Sequence, residues 1–73
     1  MVVGRKLSET AEEVRYEFGL DRQFTRVLII DRHSWQIATE DGTIDSAAEA
    51  VASKIKRSWQ ESGEFPPGVV FAS

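Results

Sequence analysis

The run from Ser46 to Ser62 constrains this chain more than any other stretch. Ala48, Val51, Ala52, Ile55 and Trp59 fall within an arc of roughly 100° at helical pitch, the width of a core-facing stripe. Ser46-Ala-Ala-Glu49 has capping-box spacing, and Gly63 stands where a left-handed C-cap glycine belongs. A helix this one-sided needs a surface to lie on, and the preceding residues supply one. Phe24-Thr-Arg-Val-Leu-Ile-Ile30 reads as a strand, with Phe24, Leu28 and Ile30 on one face beside Arg26. Asp31–Ser34 is a short polar connection, Trp35–Thr39 alternates as a second strand, and Asp41-Gly42 is a turn.

Residues 9–18 present a second helical pattern. Leu7, Ala11, Val14 and Phe18, spaced 4, 3 and 4 apart, share a narrow stripe. Thr10 with Glu13 has capping-box spacing, with Ser8 as a rival cap, and Gly19 fits a helix stop. The expected fold is α+β: two helices on a small antiparallel sheet in α-β-β-α order. Met1–Val3 and Val69–Phe71 are candidate terminal strands, which would extend the order to β-α-β-β-α-β, the split βαβ arrangement. Residues 1–63 form the expected domain, and 64–73 a Pro-containing apolar tail.

Seventy-three residues make one domain at most, with a stability of roughly 4–11 kcal/mol on the per-residue scale. Val27–Ile30 is apolar on both faces, as in strands covered on both sides. Two helices packed on one face would leave the other to a second copy of the chain, so a homodimer is expected. There is no cysteine, hence no disulfide and no thiolate chemistry. No apolar run is long enough to span a membrane, and Met1–Lys6 lacks a signal-peptide stretch, so a cytoplasmic location is expected.

Little catalytic equipment is present. His33 is the single histidine; Asp31, Glu40, Asp41 and Asp45 are near it in sequence, but zinc wants three or four ligands rich in Cys and His. A solvent-exposed turn histidine is the simpler reading. Ser34 adjoins His33, yet neighbours in a hairpin point apart, and the scattered glycines match no phosphate-binding loop. No enzyme activity, metal or cofactor is expected.

Three surfaces remain as candidates for a partner. On the expected first helix Glu9, Glu13 and Glu17 form an acidic ridge at i, i+4 and i+8, with Tyr16 on the outer side and Glu12 nearby. Such a ridge suits a basic partner, although acids also favour a helix N-terminus for structural reasons. The apolar tail residues Phe65, Val69 and Phe71 would close the domain's own core, pack in a swapped dimer, or add as a strand to a partner. Arg26, Arg32, Lys54, Lys56 and Arg57 could meet nucleic acid if they converged on one face, but the net charge of −3 disfavours that. Glu61–Val69 resembles the helix-to-wing step of small excisionase-type winged-helix proteins; there a basic wing would follow, and no function is carried over. The expected function is non-catalytic protein binding as a regulator, adaptor or inhibitor, including the kind made by mobile elements; the alternative is a nucleic-acid accessory factor.

Overall fold

The computed structural model describes residues 1–21 and 23–72; Arg22 and Ser73, the last residue of the expected tail, lie outside the described residues. In chain order they form β1 (Val2–Glu9), β2 (Glu13–Leu20), β3 (Arg26–Asp31), β4 (Ile37–Thr39), α1 (Ser46–Ser62) and β5 (Gly68–Phe71). Every strand pair is antiparallel, and the sheet runs β4-β3-β2-β1-β5, with α1 packed on one face. The α+β class holds, but with five strands and one helix rather than two helices, in β-β-β-β-α-β order.

The expected helix over residues 9–18 is instead the β1–β2 hairpin. Glu13-Val-Arg-Tyr-Glu-Phe18 alternates polar and apolar at the strand period of two. As a strand it buries Val14, Tyr16 and Phe18 completely on the α1 side. The competing helical stripe relied on Leu7 and Ala11, which are exposed. Burying three large side chains outweighs a stripe half of which stays wet. Thr10 does use its hydroxyl as a cap would, accepting from the N–H groups of Glu12 and Glu13 at 3.2 and 3.1 Å, but it closes a hairpin. Gly19 is no helix stop. It lies buried in β2, where a Cβ would stand 1.6 Å from the Gln23 carbonyl oxygen.

Strand β1 carries a register shift between Lys6 and Ser8. The extra residue brings both Lys6 and Glu9 to the α1 face, opposite Tyr16 and Val14, where they pair at 2.8 Å. Near the other end Gly4 lets the helix come close, since a Cβ there would be 3.1 Å from Val51 Cγ1.

Helix α1 covers the expected residues. Its N-cap is Asp45 rather than Ser46; the Asp45 carboxylate accepts from the Ala48 N–H at 3.0 Å. Gly63 closes the helix at φ 78°, donating to the Trp59 carbonyl at 2.7 Å. Ala48, Val51 and Ile55 are fully buried, flanked by half-buried Ala52 and Trp59. Two strand boundaries move. Phe24 falls outside β3 and lies under the Arg5 guanidinium, while Trp35 precedes β4 with a left-handed φ of 62°.

After Gly63 the chain returns to the sheet, and β5 pairs with β1 from Val2 to Arg5. Tyr16, expected on the outside, holds this return from within: its hydroxyl donates to the Pro66 carbonyl at 2.6 Å. Lys6 adds its backbone N–H to the Pro67 carbonyl and its ammonium to the Phe65 carbonyl. Burial, with the Glu9 charge adding to it, pushes the Tyr16 hydroxyl far above its ordinary pKa and keeps it a donor.

Two substitutions test this architecture. Gly19→Ala should cost about 3 kcal/mol or more, the upper range for overpacking, because the obstacle is backbone. Tyr16→Phe should cost about 1 kcal/mol by leaving the Pro66 carbonyl unpaired, a fall of several degrees in melting temperature for a chain this small. Thermal denaturation followed by circular dichroism measures both.

Candidate functional site

The chemistry-bearing residues do not assemble into a catalytic centre. His33 is exposed in the β3–β4 connection, where its backbone N–H and that of Ser34 donate to the Asp31 carboxylate at 2.8 and 3.0 Å. The Ser34 N–H and then the His33 N–H hold the Asp31 carboxyl below its usual range, so this carboxylate shapes a turn. Among the described residues no group of three or more His, Asp or Glu side chains is placed to hold a metal ion.

The acidic ridge is not formed, because its residues stand on strands. Glu9 faces α1 and pairs with Lys6 and, at 3.4 Å, with Arg32. Glu12 is in the β1–β2 turn, and Glu13 and Glu17 point to the opposite face of the sheet from the buried Tyr16. Phe65 is buried, and Val69 packs against the core on the helix side, as does Phe71 by register, so the tail residues belong mainly to the interior. Val70 alternates to the other face and is 52% exposed.

The five basic residues do not converge. Arg26 is clamped by Asp41 at 2.7 Å, Asp45 at 2.8 Å and the Thr43 carbonyl at 2.7 Å, and its guanidinium lies 4.7 Å from the Phe18 ring centre. Arg32 is at the opposite end of the sheet, donating to the Thr10 carbonyl and lying over Phe65. Lys56 lies over Trp35 on the β4 side of α1, whereas Lys54 and Arg57 border β5, with Arg57 near Glu61.

Two groupings were not legible as sites in the sequence. Trp35, Trp59 and Phe65 cluster at one end of α1, with Trp35 stacked on Phe65 at 5.3 Å between ring centres and 23° between planes. The left-handed backbone at Trp35 is strained for so bulky a residue, and the stack is what it achieves. The second grouping is the helix-free face of the sheet. Arg5 pairs there with Glu17, and Arg15 with Glu13 at 2.5 Å and Glu40 at 3.2 Å. These charges stand among half-buried Val3, Val27 and Ile29. A shallow cleft of about 290 Å³ lies at one corner, lined by Glu12, Glu13, Ile29, Asp31, Gln36 and Ala38. The signal for this face was the polar half of the Glu13–Phe18 alternation, read at the wrong period.

No protein-family model, no curated protein and no solved structure matches this chain.

The Arg26 clamp predicts an acid response. Arg26, followed by the Thr39 hydroxyl and the Thr43 N–H, holds the Asp41 carboxyl well below the usual range; Arg26 and then the Ala48 N–H do the same for Asp45. Folded values below the unfolded 3.8 mean that this stability is complete at neutral pH. It is lost as pH falls through and below the ordinary carboxylate value. Melting temperatures between neutral pH and strong acid should show that fall. Arg26→Met should lower the neutral value and flatten the acid limb.

Proposed function

We propose that this protein is a small non-catalytic protein-binding module, a regulator, adaptor or inhibitor working in the cytoplasm, and that it meets its partner with the helix-free face of the sheet, from the acidic corner at Glu12 and Glu13 across Arg15 to Glu40. One observation carries the reading: this face combines apolar surface with an excess of acid. Val27 and Ile29 are half-buried there although no second layer of the described residues covers them. Among the described residues, Glu13, Glu17, Asp31 and Glu40 stand on it against Arg5 and Arg15. A partner segment that is basic and partly apolar fits such a surface, its charge steering the encounter and its apolar groups displacing water from Ile29. The nucleic-acid alternative gains no support from basic residues that face different directions and are largely engaged by acids and rings.

Affinity capture from a native lysate tests this, comparing wild type with Glu12→Lys/Glu13→Lys/Glu40→Lys. Circular dichroism should show both to be folded. A protein held by wild type in a salt-sensitive manner should bind the variant at least about tenfold more weakly, about 1.4 kcal/mol. Equal retention by the folded variant, or nucleic acid as the retained species, would overturn the reading.

A further inference from the structure

Strand β5 ends the sheet on one side, and among the described residues nothing pairs with its outer edge. Sheet edges are usually blunted by charge, proline, a bulge or brevity. The opposite edge fits that rule, because β4 has three residues and is closed off by Trp35 at positive φ on one side and the Asp41–Gly42 turn on the other. Gly68-Val-Val-Phe71 is one residue longer and follows Pro66-Pro67, but within it there is no charge, proline or bulge.

The hydrogen-bond phase fixes which groups are unused. Lys6 donates to the Pro67 carbonyl, and antiparallel ladders alternate every two residues, so Val69 and Phe71 direct their backbone groups to Gly4 and Val2. The N–H and C=O groups of Gly68, Val70 and Ala72 therefore point away from β1. Val70, at their centre, also carries an exposed side chain.

We propose that this edge pairs antiparallel with β5 of a second copy of the chain, about a twofold axis at Val70, doubling the five-stranded sheet. The register is self-complementary. Val70 exchanges both backbone hydrogen bonds with its counterpart, Gly68 faces Ala72, and the two valines form a β-branched cross-strand pair.

The flank of α1 above β5 favours a second copy over an unrelated strand. Its first half is small apart from Glu49, with Ser46, Ala47, Ala50 and Ser53 bordering a groove of about 550 Å³ walled by Met1, Leu20 and Phe71. Its second half is long, with Lys54, Arg57 and Glu61 beside Val69 and Val70. A twofold axis at Val70 runs the two helices antiparallel, so the long half of each meets the small half of the other. Glu61 is thereby brought toward the partner's helix N-terminus, where the dipole favours a carboxylate and Glu49 opposes it. Lys54 and Arg57 come near the axis, a like-charge cost that their exposure to water moderates. This pairing does not depend on the acidic corner, which lies at the β3–β4 side of the sheet.

Sedimentation or light scattering across a concentration series is the test, with Val70→Pro and Val70→Lys. Proline at 70 removes an N–H that the chain's own ladder does not use, so β5 can stay on β1. Lysine keeps the backbone and adds an edge charge. Wild type should approach twice the 8.2 kDa chain mass as concentration rises. Both variants should stay at the single mass, with unchanged circular dichroism. Should proline disturb the fold, the lysine variant decides. A wild type still at single mass near about 1 mM, where an association worth about 4 kcal/mol would be visible, overturns the proposal. So does a doubled mass that survives the folded variants.

Discussion

One helix has to cover a five-stranded sheet, and most of this structure is the consequence. Seventeen residues give a rod about 26 Å long and about 10 Å wide, while five strands at about 4.8 Å spacing are about 19 Å across between outer axes. The helix can therefore seal only part of one face. Gly4 draws β1 in under Val51, and Val69 closes the β5 side. Toward β4, where the helix does not reach, other groups take its place. Trp35 and Trp59 fill one end with Phe65, and the Arg26 guanidinium lies over Phe18 at the other. Arg26 also gathers Asp41, Thr43 and the helix-capping Asp45, so the connection from β4 to α1 is tied to the strand it must cross.

The opposite face has no layer at all among the described residues, and it solves the same shortage with charge. Arg5–Glu17 and Arg15–Glu13 stand across or along the strands, and the arginine stems shield Val3, Val27 and Ile29. Exposed ion pairs of this kind contribute little individually. Their value here is that they cover apolar surface without burying a charge. A face finished this way can be uncovered at modest cost, whereas the helix side is sealed.

The second half of the chain was legible because its signals are local and agree with one another. Helix α1, its C-cap Gly63 and the alternation in Ile37–Thr39 each follow from a few adjacent residues. The first half was not, for two physical reasons. In β2 the strand period was present in Glu13–Phe18, but Thr10 and Glu13 offered the same hydroxyl-to-N–H chemistry that begins a helix, and the turn uses it differently. In β1 there was no alternation to find. Its α1-facing positions are Val2, Gly4, Lys6 and Glu9: a valine, a glycine that makes room for the helix, a lysine reaching the Phe65 carbonyl, and a glutamate shifted into phase by the register change. These residues are chosen by what they meet across the fold, and that information lies 47 to 65 positions away, in Val51, Phe65 and Val69. The candidate surface shared this fate, since reading residues 9–18 as a helix put Tyr16 outside and gathered three acids that strands keep apart.

The same non-local logic bears on how the chain is finished at its edges. β5 follows the other elements yet sits beside β1, the first strand, so this pairing joins residues far apart in sequence. Lys6 and Tyr16 donate to the backbone carbonyls of 65–67 that lead into it, and none of these bonds depends on the side chains of Gly68 or Val70. The outward backbone groups of Gly68 and Val70 are thus left unused by the ladder to β1. A valine at its exposed centre lacks the edge charge that a lysine there would supply. That absence of charge is what the proposed pairing of this edge with a second copy requires.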